Sequence, residues 1–154
     1  VIYTSTDPRD AFALGDQVML LHEQSLLQSG TPLGLYQSPK CLAAARLMSD
    51  PGVNLLPGPN FNGGEQCSVI RPEHVLLPGE AVQDCADTIS FHMRVDSIER
   101  SGDETFLHGR VSKDGELQDE QHWVVRRPGM HSVSVGQMLE LNVLGDDILN
   151  LALE

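Results

Sequence analysis

Ile89-Ser90-Phe91-His92-Met93-Arg94-Val95-Asp96 places an apolar side chain at every second position and a polar one between each pair. A period of two sends the four apolar side chains to one face of a pleated strand and the four polar ones to the other, so the stretch reads as a half-buried strand. Towards the C-terminus the pattern recurs. Leu139, Leu141 and Val143 alternate with Glu140 and Asn142, and Leu149, Leu151 and Leu153 with Asn150 and Ala152. Further short strands are expected at 68–71, 75–77, 106–111 and 122–126, divided by the turns Ser101-Gly102-Asp103 and Lys113-Asp114-Gly115.

Short strands at regular intervals with no helix between them define an antiparallel barrel or sandwich. An OB-like antiparallel β-barrel is expected, because closure protects strand edges in so short a module. Trp123, the only tryptophan, is assigned to its core. Upstream the pattern changes. The cluster Pro57-Gly58-Pro59-Asn60-Phe61-Asn62-Gly63-Gly64 is turn chemistry, and the boundary is placed there, dividing the chain into 1–57 and 58–154. The first part mixes helix and strand. Val1-Ile2-Tyr3 is β-prone, and Asp7-Pro8 caps a brief helix through Leu14. A hairpin turns at His22-Glu23-Gln24, Thr31-Pro32 opens a short helix through Tyr36, and residues 40–48 form another, stopped by Asp50-Pro51-Gly52.

The 154 residues hold 22 Asp+Glu against 10 Lys+Arg, a formal net charge of −12. Residues 1–58 carry 3 basic and 5 acidic side chains, residues 59–154 carry 7 and 17, so net −10 lies in the second part. Such a field repels phosphate backbones and, with aromatic content of 5%, argues against nucleic acid as a partner. No apolar run approaches the roughly 18–20 residues of a membrane span. Val1 to Thr4 carry no secretory signal pattern. Cys41, Cys67 and Cys85 are scattered without C-x-x-C spacing, which fits a reducing cytoplasm and buried thiols; Cys41, after Lys40, is the one with a basic neighbour.

Several chemical motifs are considered and set aside. There is no P-loop and no G-x-S-x-G elbow. Asn62-Gly63-Gly64-Glu65-Gln66 reads as a loop needing positive φ rather than a phosphate cradle. His92, His108 and His122 sit on three predicted strands and are read as solvent-face histidines, with no metal assigned. Asp114 to Glu120 reads as a solvated hairpin tip rather than a cation site. An oxyanion would need a pocket of Arg71, Arg94, Arg126 or Arg127 against the field of the unit.

Two stretches together resemble the C-terminal half of ATP-binding subunits of ABC importers that carry a C-terminal TOBE (transport-associated barrel) domain. The first begins at Val1-Ile2-Tyr3-Thr4-Ser5-Thr6-Asp7-Pro8-Arg9-Asp10-Ala11 and continues through Gln28-Ser29-Gly30-Thr31-Pro32, Leu35-Tyr36 and Pro39 to Ser49-Asp50-Pro51-Gly52-Val53-Asn54-Leu55-Leu56-Pro57. The second, Val69-Ile70-Arg71-Pro72-Glu73-His74, is similar to the I-R-P-E-H signature of the TOBE barrel. Val125-Arg126-Arg127-Pro128-Gly129 and Gly136 before Leu139-Glu140-Leu141 are like its later part.

The resemblance implies a mainly β chain: a TOBE barrel over 58–154, preceded by an α/β remnant of an ABC ATPase domain over 1–57, cut at the strand that leads to its switch position. It implies ATP and Mg in a longer parent, a second ATP-binding subunit and membrane permease subunits as partners, and a cytoplasmic place on the inner face of the plasma membrane. The implied solute is a carbohydrate or a polyol such as glycerol. Thr6 falls where the family has its switch histidine. A threonine is too short to make the same contact with a terminal phosphate and carries no positive charge. The family's hairpin glycine is also replaced, by Glu23-Gln24, so the turn is expected to be rebuilt without an easy positive φ. A second hypothesis keeps the TOBE-type barrel free-standing, binding a small molecule or a regulatory protein.

Overall fold

The computed structural model describes residues 1–57, 62–80, 87–113 and 121–153. Cys85, the segment 114–120 and residues 58–61 of the expected boundary cluster lie outside the described residues. The chain divides into two compact units, one of Val1–Val53 with Leu151–Glu154 and one of Asn54–Asn150.

In the first unit, α1 (Pro8–Leu14) starts at Asp7, whose carboxylate accepts from the Arg9 amide, with proline in the first turn where its missing N–H is harmless. The hairpin of β1 (Val18–His22) and β2 (Ser25–Gly30) follows, then α2 (Pro32–Gln37) and α3 (Leu42–Leu47). Thr31 caps α2 through the Gly34 amide. Gln28 fixes the following loop: its side-chain amide donates to the Ser38 carbonyl (3.0 Å) and accepts from the Lys40 amide (2.8 Å). Leu20, Leu35, Cys41, Ala44 and Met48 form the small core. The expected strand at Val1-Ile2-Tyr3 is not formed. These residues pair with nothing in a ladder and are all exposed, because a strand exists only by hydrogen bonding to a neighbour.

The turn between β1 and β2 also departs from expectation. Glu23 and Gln24 both take positive φ, 48° and 65°, in a two-residue connection between paired His22 and Ser25. Left-handed turns match the right-handed twist of the flanking strands, and that match prevails over the steric objection of a Cβ.

In the second unit the alternating stretch becomes the long β6 (Thr88–Ser101), flanked by β7 (Glu104–Ser112) and β9 (Met138–Leu144), with β8 (Gln121–Pro128) beyond β7. This sheet runs β8-β7-β6-β9, antiparallel throughout. A bulge between Val95 and Ser97 adds Asp96 as an unpaired residue and bends β6. Gly109 faces Val95 there, and a Cβ on it would overlap the Arg94 carbonyl. A second sheet orders β10 (Leu149–Ala152), β5 (Gln66–Ile70) and β3 (Asn54–Leu55), with β4 (Asn62–Gly63) also on β5. The core holds Leu56, Ile70, Phe91, Met93, Leu107, Trp123, Val125, Leu141 and Val143, with Phe91 and Trp123 rings 5.1 Å apart.

Closure into a barrel is not seen among the described residues. Among the described residues the strands of the second unit form two sheets rather than one continuous ladder. Among the described residues several local contacts link them, and Trp123 Nε1–H, donating to the Leu55 carbonyl at 2.6 Å, is one. Asn54, buried, donates from its amide to the Val124 carbonyl and accepts from the Val124 N–H, both at 2.8 Å, so a side chain takes the place of a strand neighbour. Leu76 and Asn142 exchange backbone hydrogen bonds of 2.9 and 3.0 Å as an isolated bridge. The ladder stops for sequence reasons: Pro57 ends β3 and has no N–H to give, and Pro72 opens a 3-10 turn through His74 directly after β5. The strand expected at 75–77 is therefore reduced to that bridge.

Candidate functional site

Thr6 is exposed and stands immediately before the N-cap of α1. Its neighbours are organised by a local network. The Ser5 hydroxyl donates to Asp10 Oδ2 (2.6 Å) and accepts from the Asp7 N–H (3.0 Å), while Arg9 donates from Nε and Nη2 to the Asp7 carboxylate (2.8–3.1 Å). The side-chain hydrogen bond from Arg9 holds the Asp7 carboxyl below its usual range and, reciprocally, Asp7 raises Arg9. Helix capping and this pairing therefore persist at neutral pH and weaken only as acid protonates Asp7.

The Ile70-Arg71-Pro72-Glu73-His74 stretch forms the second centre. Arg71 is buried, and the 3-10 turn behind it presents the Glu73 carbonyl to Arg127 Nη1 at 3.1 Å. Arg127 also donates from Nε and Nη2 to Glu80 Oε1 (3.0 and 2.7 Å), and Glu80 Oε2 accepts from the Leu77 amide (2.7 Å). This is a structural lock: the arginine's donors are spent on holding the segment after β5 against β8. Nδ1 of His74 is shielded from solvent, has no hydrogen-bond partner, and lies 3.4 Å from Asp147 Oδ1.

The four arginines considered for an oxyanion go to separate places. Arg127 serves the lock, Arg71 is buried at the start of the 3-10 turn, Arg126 pairs with Glu104 (2.7 Å) and lies over the Phe106 ring, and Arg94 stands on the outward side of β6. His92, His108 and His122 do share that outward side, and the rings of His108 and His122 are 6.0 Å apart. Among the described residues no three His, Cys, Asp or Glu side chains group as metal ligands. Trp123 is fully buried and its Nε1–H donates to the Leu55 carbonyl (2.6 Å), a core role with its polar atom satisfied. Cys41 and Cys67 are buried and in no disulfide among the described residues, and burial removes Cys41 from surface chemistry. In Asn62-Gly63-Gly64-Glu65-Gln66, Gly64 takes φ 66° in the turn between β4 and β5, a turn requirement as read from the sequence.

Sequence reasoning missed Asn54 as a structural residue. Its signal was present in the junction Asn54-Leu55-Leu56-Pro57, but a two-residue strand gives no periodicity to detect. No helix among the described residues is long and apolar enough to cross a membrane.

Comparison with known proteins agrees with both stretches. The chain is 24% identical over 158 residues to the sn-glycerol-3-phosphate import ATP-binding protein UgpC of Brucella abortus (strain 2308), covering 96% of this chain and 43% of that protein. The protein of that name from Rhodopseudomonas palustris (strain BisB5) is 27% identical over 162 residues, 93% of this chain and 44% of its own. That of strain BisB18 is 30% identical over 127 residues, 75% and 34%. The chain thus spans less than half the length of these relatives and matches their C-terminal region. The family model for the TOBE domain matches residues 68–151, more than half of the chain. On that match, carried by the two-sheet unit and the Arg71-Pro72-Glu73-His74 turn within it, the chain belongs to the TOBE-domain family.

Proposed function

We propose that this chain is the C-terminal part of the ATP-binding, energy-coupling subunit of an ABC importer for a carbohydrate or polyol, with glycerol or its phosphate ester the favoured solute. The observation that carries the reading is the extent of the similarity: relatives named as sn-glycerol-3-phosphate import ATP-binding proteins match 93–96% of the chain, not its TOBE part alone. Residues 1–57 are then the end of the nucleotide-binding domain and 58–154 the regulatory TOBE part.

A second observation supports the first division. Val1, Ile2, Tyr3, Met19, Leu21 and Leu26 are exposed apolar side chains in a unit whose core has five buried members. Such a unit leaves much of its apolar surface uncovered and gains from a further layer of protein. In the longer parent that layer is the rest of the nucleotide-binding domain, which supplies the ATP and Mg ligands. A second ATP-binding subunit and membrane permeases complete the assembly, at the cytoplasmic face of the plasma membrane.

On this reading Thr6 occupies the switch position. Its hydroxyl lacks both the reach and the charge to stabilise a terminal phosphate in the transition state, so hydrolysis falls to an intact site on the partner. The test is the parent protein assembled with its partner subunits in proteoliposomes. Thr6→His should raise solute-stimulated ATP hydrolysis by about tenfold or more, the scale of a single transition-state contact; an unchanged rate would overturn the assignment of Thr6.

A further inference from the structure

Among the described residues, Nδ1 of His74 is the one buried side-chain nitrogen or oxygen without a hydrogen-bond partner. Folded chains satisfy nearly all such atoms, so an orphan calls for a physical reason. The ring is not sealed off. Of the His74 side chain 34% is exposed, so the imidazole meets solvent by an edge other than Nδ1 and can exchange a proton there. What Nδ1 faces is a carboxylate: Asp147 Oδ1 lies 3.4 Å away, outside hydrogen-bond geometry.

The protonation state of the ring decides what that contact is worth. In neutral histidine, Nδ1 either turns a lone pair towards the carboxylate oxygen or offers it a misaligned N–H. In the imidazolium both ring nitrogens carry protons, and the same approach becomes an ion pair that a small shift completes as a charge-assisted hydrogen bond. No other charged group takes the place of Asp147. Arg71 and Glu73 belong to the same turn as His74. On β8, which packs against that turn, Arg127 is held by Glu80 and Arg126 by Glu104, both at 2.7 Å, and His122 lies near the strand's other end. Beside Asp147, Asp146 is exposed and Asp87 lies against Gly145. Among the described residues Asp147 is the one carboxylate within ion-pair distance of His74.

The two residues stand on turns that flank neighbouring strands. His74 closes the 3-10 turn directly after β5, Asp147 ends a second 3-10 turn, Gly145–Asp147, directly before β10, and β10 pairs with β5. We propose that His74 and Asp147 form a proton-operated latch: a proton taken up by the His74 ring clamps the two turns together and holds the start of β10, Leu149 and Asn150, against β5. Loss of the proton leaves that start to its ladder and to the hydrogen bond of the Ser68 hydroxyl with Asn150 Oδ1 (2.5 Å). An interaction made only by the protonated ring is fully present at low pH and is lost as pH rises through the histidine's titration. Imidazoles change charge between about pH 5 and pH 8, where carboxylates remain ionised, so one partner switches and the other waits. The proposal does not depend on the transport reading.

The test is amide hydrogen exchange on the full chain, read by NMR at about pH 5 and about pH 8 and corrected for the intrinsic rate at each. The reporters are the Ile148 amide, which donates to the Gly145 carbonyl (3.1 Å), and the amides of Leu149 and Asn150, with β6 amides as the measure of global unfolding. At the lower pH the reporters should be about threefold better protected relative to β6, the scale of one partly exposed ion pair. Asp147→Asn and His74→Gln should each abolish the difference, whereas His22→Gln, in the first unit, should leave it intact. A protection ratio independent of pH in the unsubstituted chain overturns the latch without recourse to any variant. So does a difference that survives Asp147→Asn or His74→Gln, which would assign it to another titrating group. Ring nitrogen shifts of His74 in the unsubstituted chain supply the second check: they must change over the same pH range as reporter protection, and a mismatch refutes the proposal.

Discussion

Glu23 and Gln24 hold the two central positions of a hairpin turn at positive φ, a backbone region that disfavours any residue with a Cβ by roughly 1–2 kcal/mol. Their identity suggested a turn rebuilt without it, yet the paired strands on either side dictate the geometry and the residues comply. The strain is removable. Replacing the pair by Asn-Gly, residues suited to this turn, should stabilise the first unit by about 1 kcal/mol, measured by urea denaturation followed through hairpin amides. At the same scale Thr6 illustrates a limit of local reading. The residue and its place before a capped helix were legible, because Asp7-Pro8 is a helix start in any context. What a side chain at that place contacts depends on protein beyond its own unit.

Among elements, the alternating strands were the most legible. Burial of Phe91, Met93 and Val95 and exposure of His92, Arg94 and Asp96 reproduce the period read from residues 89–96. Elements whose pairing is not a ladder were not legible. β3 is two residues long, and it meets β8 through side chains rather than a ladder: Asn54 meets both polar groups of Val124, and Trp123 Nε1–H donates to the Leu55 carbonyl. Asn54→Ala would leave those two backbone groups unpaired in a buried place. We expect a loss of roughly 2–4 kcal/mol in denaturant unfolding, with Asn54→Asp losing at least as much, because its buried carboxylate would set an oxygen against the Val124 carbonyl that Asn54 donates to. The segment 75–77 was read as a strand from its apolar residues. Pro72 had already diverted the chain into a 3-10 turn, and one bridge to Asn142 was all that remained.

For the whole molecule, the two units differ in how much they bury. The first has a core of five small or medium side chains and many exposed apolar ones; the second encloses Trp123, Phe91 and a dozen aliphatic neighbours. Local stability follows enclosed apolar area. Native-state hydrogen exchange should therefore find amides of β6, β7 and β9 protected to the limit of global unfolding, and those of β1, β2 and α1 exchanging orders of magnitude faster. Equal protection in both would contradict this account of the cores. The amino-acid sequence alone determined which stretches are strands, where helices start, the acidic balance and the TOBE resemblance, since each is carried by neighbours along the chain. Tertiary structure alone decided that, among the described residues, the strands of the second unit fall into two sheets linked through Asn54 and Trp123, and that Arg94, Arg110 and His122 stand opposite one another in register. Both depend on register between strands distant in sequence, which is set by packing and is written in no single segment.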